Sequence, residues 1–152
     1  MTQTPAGELK AVTVLLVEDN AAHAEMVNRL FEIHHVAHSV HVAEDGEQAL
    51  EYLFRRGRFA DPATSPRPNL VLLDLRLPRM DGLDLLREIR AAPAFRDLPV
   101  VVLTTSDAEA DMAKAYLSRA NSYLVKPLTI RQIERMMHEL GIHWAAAGTT
   151  SP

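Results

Sequence analysis

The sequence predicts an α/β domain, a doubly wound parallel sheet with helices on both faces. Three observations carry that expectation. Short, almost wholly apolar runs such as 12–17 and 100–103 are rich in β-branched residues, the pattern of strands covered on both sides. Between them lie segments whose apolar residues recur at helical spacing. The two kinds alternate, strand then helix, five times, and right-handed crossovers then place helices on both faces of a parallel sheet.

The elements follow in order. The first strand, 12–17, ends at Glu18-Asp19-Asn20, and Asn20 is placed to cap a helix over 21–33, where Ala22, Met26, Leu30 and Ile33 share helical spacing. A second strand is expected at 39–43 and a second helix at 46–55. The third strand, 70–74, is followed by Asp81-Gly82 and a helix marked by Leu83, Leu86 and Ile89. Pro99 leads into the fourth strand and Thr104-Thr105-Ser106-Asp107 lead out of it, towards a helix over 108–117. A fifth strand at 123–125 and a last helix at 129–140, closed by Gly141, complete the set. The proline- and charge-rich segment 56–69 reads as an extended loop.

The whole chain sets bounds on function. Its 152 residues suffice for one domain with a real core. It has no cysteine, which removes disulfides, thiolate metal sites and thiol nucleophiles. A net charge of −4 argues against nucleic-acid binding. No stretch is apolar enough to span a bilayer, and the start lacks a secretion signal, so a soluble, cytoplasmic protein is expected. Residues 1–10 read as a flexible leader, 11–142 as the folded domain and 143–152 as a tail, too short for a DNA-binding helix-turn-helix.

In an open parallel sheet, ligands bind beyond the carboxyl ends of the strands. Those ends carry Glu18 and Asp19, then Asp74, then Thr104, then Lys126. Three acids brought together repel one another unless a cation neutralises them, and hard carboxylate oxygens favour Mg²⁺ or Mn²⁺. A carboxylate is an established nucleophile towards phosphorus, and an ammonium and a hydroxyl stabilise phosphoryl oxygens. The set suits transfer of a phosphoryl group onto an aspartate.

The segments "VEDN", "LLDLRLPRMDG", "VVVLTTSD" and "YLVKP", in this order and spacing, resemble the receiver domain of bacterial two-component response regulators over about 12–140. The resemblance implies a flavodoxin-like fold with strand order 2-1-3-4-5. It implies Asp74 as phosphoacceptor, with Mg²⁺ held by Glu18, Asp19, Asp74 and the backbone carbonyl of Arg76. Thr104 and Tyr123 are the implied switch residues, and Lys126 pairs with the phosphoryl group, its bond to Pro127 commonly being cis in the family. Arg76 and Ser106 stand where the family tunes acyl-phosphate lifetime, and Thr105 replaces the smaller residue often found at its position, a change expected to restrict phosphodonor access. The implied partners are a sensor histidine kinase and a downstream protein. The implied product is a phosphoprotein signalling module rather than an enzyme. The long 56–69 loop and "NSYLVKP" further resemble single-domain regulators paired with bacterial phytochromes, which extends the expected partner to a bacteriophytochrome.

Simpler readings stand beside some of these. The acidic pair could cap a helix, and Tyr123 could fill the core. His34, His35, His38 and His41 read as solvated side chains rather than metal ligands, and the Met136-Met137 pair as core. Family habit and the apolar Ile133, Met136, Met137 and Leu140 suggest a homodimer through the last two helices and the fifth strand. Haloacid-dehalogenase phosphatases also use a strand-end aspartate, but they place a second acid two residues later, where this chain has Arg76.

Overall fold

Leu70–Asp74 and Val100–Thr104 bury every residue, which is why their sequences show no alternation of polar and apolar side chains. In the computed structural model, which describes residues 12–33, 38–104 and 120–141, these are β3 and β4 of an all-parallel sheet. With β1 (Val12–Val17), β2 (His38–Ala43) and β5 (Ser122–Val125) the order is β2-β1-β3-β4-β5, as expected. The described helices are α1 (Ala21–Ile33), α2 (Gly46–Leu53), α3 (Gly82–Ala91) and α4 (Ile130–Glu139). The helix expected at 108–117, Thr105, Ser106, His34, His35, the leader, the tail and the side chain of His38 lie outside the described residues.

Alternate residues of each inner strand face opposite layers. Leu15, Val71, Leu73 and Val102 pack with Leu53 of α2 and Leu86 and Ile89 of α3. Leu16, Leu72, Val101 and Leu103 pack with Phe31 of α1 and Ile133 and Met137 of α4. Each such side chain removed from water contributes about 1.5–3 kcal/mol. Side chains also fix where the helices begin. Asn20 Oδ1 accepts from the amides of Ala22 and His23, Asp45 Oδ1 from Gln48, and Asp81 Oδ1 from Leu83. Thr129 and Gln132 form a reciprocal capping box on α4.

Four expectations change. In α1 the buried stripe is Ala24, Val27 and Phe31, not the one through Ala22, Met26 and Ile33; Met26 is 47% exposed and Ile33 58%. Both stripes have helical spacing, and the larger Phe31 fills the space over the sheet. The helix expected over 46–55 ends at Leu53, because Arg55 adopts φ 54°. The 56–69 segment is not simply extended. It contains a 3₁₀ turn (Gly57–Phe59), and Tyr52 Oη donates to the Pro66 carbonyl at 2.7 Å. Finally, His41 is half-buried rather than solvated, 2.8 Å from Ser39 Oγ with its ring against Tyr52. Burial lowers its pKa.

Ile133, Met136 and Met137 are at most 1% exposed. They belong to the core and supply none of the exposed surface that a dimer through α4 would need.

Candidate functional site

Strand register assembles the site. The last rung between β1 and β3 is Val17↔Leu73, so Glu18 and Asp74 leave adjacent strands side by side. Thr104 pairs with Val125 on the last rung between β4 and β5, and the Lys126 amide donates to the Thr104 carbonyl at 2.8 Å. Apolar strands hold the four polar ends rigidly, and the peptide bond after Lys126, to Pro127, is cis.

Lys126 Nζ is the centre of the arrangement. It lies 2.9 Å from Asp74 Oδ2 and 3.0 Å from Glu18 Oε1. Asp74 Oδ1 accepts from the Arg76 amide at 2.9 Å, and Glu18 Oε2 from the Asn20 amide at 3.2 Å. Glu18 is only 2% exposed, and burial pushes its pKa up; Asp74's charge adds to the rise and Lys126 opposes it. Burial would depress the Lys126 ammonium, but its hydrogen bonds to Asp74 and Glu18 prevail and its pKa is raised.

Thr104 Oγ1 is buried and has no hydrogen-bond partner among the described residues. A hydroxyl in that position has capacity left for a further acceptor.

The residues fit a divalent cation. Carboxylate oxygens of Glu18, Asp19 and Asp74 lie within 4.8 Å of one another, and all are hard donors of the kind Mg²⁺ and Mn²⁺ take. Among the described residues one ammonium, Lys126, stands against these three acids. Asp19 is exposed and the other two are buried, so the cluster opens to solvent on one side.

All the residues expected at strand ends therefore converge: Glu18, Asp19, Asp74, Thr104 and Lys126 line one cleft of ≈ 320 Å³. Arg76 also lines it and is exposed. Tyr123 stands apart, half-buried against the core layer of α2 and α3. His23 is a neighbour that sequence reasoning missed, with Nδ1 3.9 Å from Glu18 Oε1. Its position in the first turn after the Asn20 cap was the available signal. Arg79 is another: at φ 69° it turns the loop after β3 and pairs with the Asp45 cap at 3.1 Å. Gly82 lets α3 start against the site. A Cβ there would meet Leu75 Cα at 2.7 Å and the Asp74 carbonyl at 2.8 Å.

Residues 14–138 match the family model of the response regulator receiver domain. Rcp1, a response regulator of Synechocystis sp., is 37% identical over 131 residues, 86% of this chain and 87% of that protein. FilR2 of Methanothrix harundinacea, described as a probable methanogenesis regulatory protein, is 41% identical over 131 residues, 86% of this chain and 82% of that one. Among solved structures, the bacteriophytochrome response regulator RtBRR superposes with a TM-score of 0.79 at 37% identity, covering 93% of this chain and 85% of that one. The Mn²⁺-bound form of Rcp1 gives a TM-score of 0.71 at 34% identity, over 93% and 99% of the two chains.

Proposed function

Because this chain belongs to the response regulator receiver-domain family, we propose that it switches a protein-binding surface when Asp74 is phosphorylated. The observation that carries the reading is Lys126 Nζ held between Asp74 and Glu18 at 2.9 and 3.0 Å, with the unpartnered Thr104 hydroxyl on the neighbouring strand. An Asp74 oxygen attacks the phosphorus of a kinase phosphohistidine. The new P–O bond forms as the P–N bond breaks, and the departing imidazole takes up a proton.

Glu18, Asp19 and Asp74, with the Arg76 carbonyl, would hold Mg²⁺ or Mn²⁺. When bound, that cation neutralises the acids and draws charge from the phosphoryl oxygens. Lys126 follows the phosphoryl oxygen while keeping Glu18 oriented. Thr104 donates to a second oxygen, satisfying its hydroxyl, and its inward movement makes room for Tyr123. Phosphorylation thus favours a conformation already populated at low level. The surface beside β5 and α4 then meets a downstream protein in the cytoplasm.

Similarity to the bacteriophytochrome response regulator RtBRR supports a bacteriophytochrome-type histidine kinase as donor. The test is phosphotransfer from a purified bacteriophytochrome kinase with Mg²⁺, read by intact-protein mass. Wild type gains one phosphoryl group and Asp74→Asn gains none. Modification of the Asn variant at the wild-type rate would move the acceptor elsewhere. Acetyl phosphate in place of the kinase separates a wrong donor from a wrong acceptor.

A further inference from the structure

The 56–69 segment joins the end of α2 to the start of β3, the end of that strand opposite the site. It carries an ordered arrangement of arginines on aromatic rings. The Arg56 guanidinium sits over the Phe54 ring at 4.9 Å, and Arg67 over Phe95 at 5.3 Å. The two rings meet edge-on at 5.4 Å, so Arg56, Phe54, Phe95 and Arg67 form one continuous strip. Arg58 lies over Phe59 at 4.7 Å and donates to Gln48. All three arginines are exposed, and no carboxylate pairs with any of them among the described residues. Asp61, three residues after Arg58, accepts from the Ala63 amide through Oδ1, and Asp97, two residues after Phe95, acts on Arg90.

Loops of this length are usually loose, but this one is tied down by Tyr52 Oη on Pro66 and by Asn69, which exchanges hydrogen bonds with Thr13. The ring beneath each of Arg56 and Arg67 limits where its guanidinium can go, and neither has a carboxylate partner among the described residues, so less side-chain entropy remains to be lost on binding. A guanidinium fork matches a carboxylate with two parallel hydrogen bonds.

We propose that this strip docks a short Asp/Glu-rich segment of a partner protein. A nucleic acid or an anionic membrane is disfavoured by the rest of the molecule. The chain is net −4 despite these arginines, so an extended polyanion would also meet acidic surface. A short peptide confined within about 10 Å of the strip feels chiefly the arginines.

The test is fluorescence anisotropy with a dye-labelled oligoglutamate peptide and the full chain. Saturable, salt-sensitive binding is expected, weakened at least ~tenfold in the Arg56→Glu, Arg67→Glu double variant. The Arg56→Lys, Arg67→Lys pair keeps charge but loses the fork and should fall between. Acceptance of phosphate from acetyl phosphate by Asp74 should be the same in every variant, which also certifies folding. If the charge reversal does not fold, Arg56→Gln with Arg67→Gln replaces it. Failure of wild type to bind, or undiminished binding by the variants, overturns the proposal. So does equally tight binding of duplex DNA or phosphatidylserine vesicles through the same arginines.

Discussion

Glu18 Oε1 accepts from Lys126 while its side chain is 2% exposed, so that carboxylate and Asp74 depend on one ammonium. Removing the ammonium strands both acids. Lys126→Met should therefore lower unfolding stability near neutral pH by about 2 kcal/mol, read by urea unfolding in chelator. Glu18 already has a raised pKa, and losing Lys126 raises it further. A raised carboxylate binds more protons folded than unfolded, so stability grows as pH falls towards the ordinary glutamate value and is lost as pH rises through the folded pKa. The deficit of the variant should shrink near pH 5; a deficit unchanged with pH would argue that lost packing, not stranded charge, explains it. The acids, the hydroxyl and the ammonium were legible because each directly ends an apolar run. His23 was not, since its approach to Glu18 at 3.9 Å depends on where α1 begins relative to β1.

At the level of elements, α3 and the 56–69 segment make the sharpest predictions. Gly82→Ala would force a Cβ against the Leu75 backbone and the Asp74 carbonyl, neither of which can rotate away. A loss of about 1–3 kcal/mol is expected, together with slower phosphorylation, because the same shift moves Asp74. Normal stability and rate would show that α3 can slide outward freely. Tyr52 anchors the long segment through Pro66, and burial pushes its hydroxyl pKa up to about 12. The stabilisation from protonated Tyr52 is complete below the ordinary tyrosine value and lost as pH rises towards about 12. Ultraviolet titration should find one of the chain's three tyrosines ionising late, and Tyr52→Phe should remove that phase and expose 56–69 to protease. The strands were readable from burial runs and the start of α1 from its cap Asn20, whereas the caps Asp81 and Thr129 emerged only with the structure. The buried face of α1 was not, because two stripes of equal period compete and only packing against the sheet chooses Phe31 over Met26. Nor was the order within 56–69, whose prolines signal a break but not the hydrogen bond that fixes it.

For the whole molecule, two core layers lock the strand ends in place, and a cation joining Glu18, Asp19 and Asp74 would relieve charge across β1 and β3 at once. Mg²⁺ should raise the melting temperature as its concentration grows, since it binds the folded chain alone. Asp19→Asn should lose most of that gain, and an equal gain in the variant would locate the ion elsewhere. No helix among the described residues is long and apolar enough to cross a membrane. The opposed edges of the sheet carry opposite sign, carboxylates where the strands end and stacked arginines where they begin. The two clusters are local charges of opposite sign at opposite ends of the described strands. A charged partner exerts a torque on the molecule before contact, within about a Debye length of 8–10 Å at ordinary salt. An approaching positive surface turns the phosphorylation edge forward, and a negative one turns the arginine edge forward, so orientation is partly sorted during diffusion and the association rate should fall as salt rises.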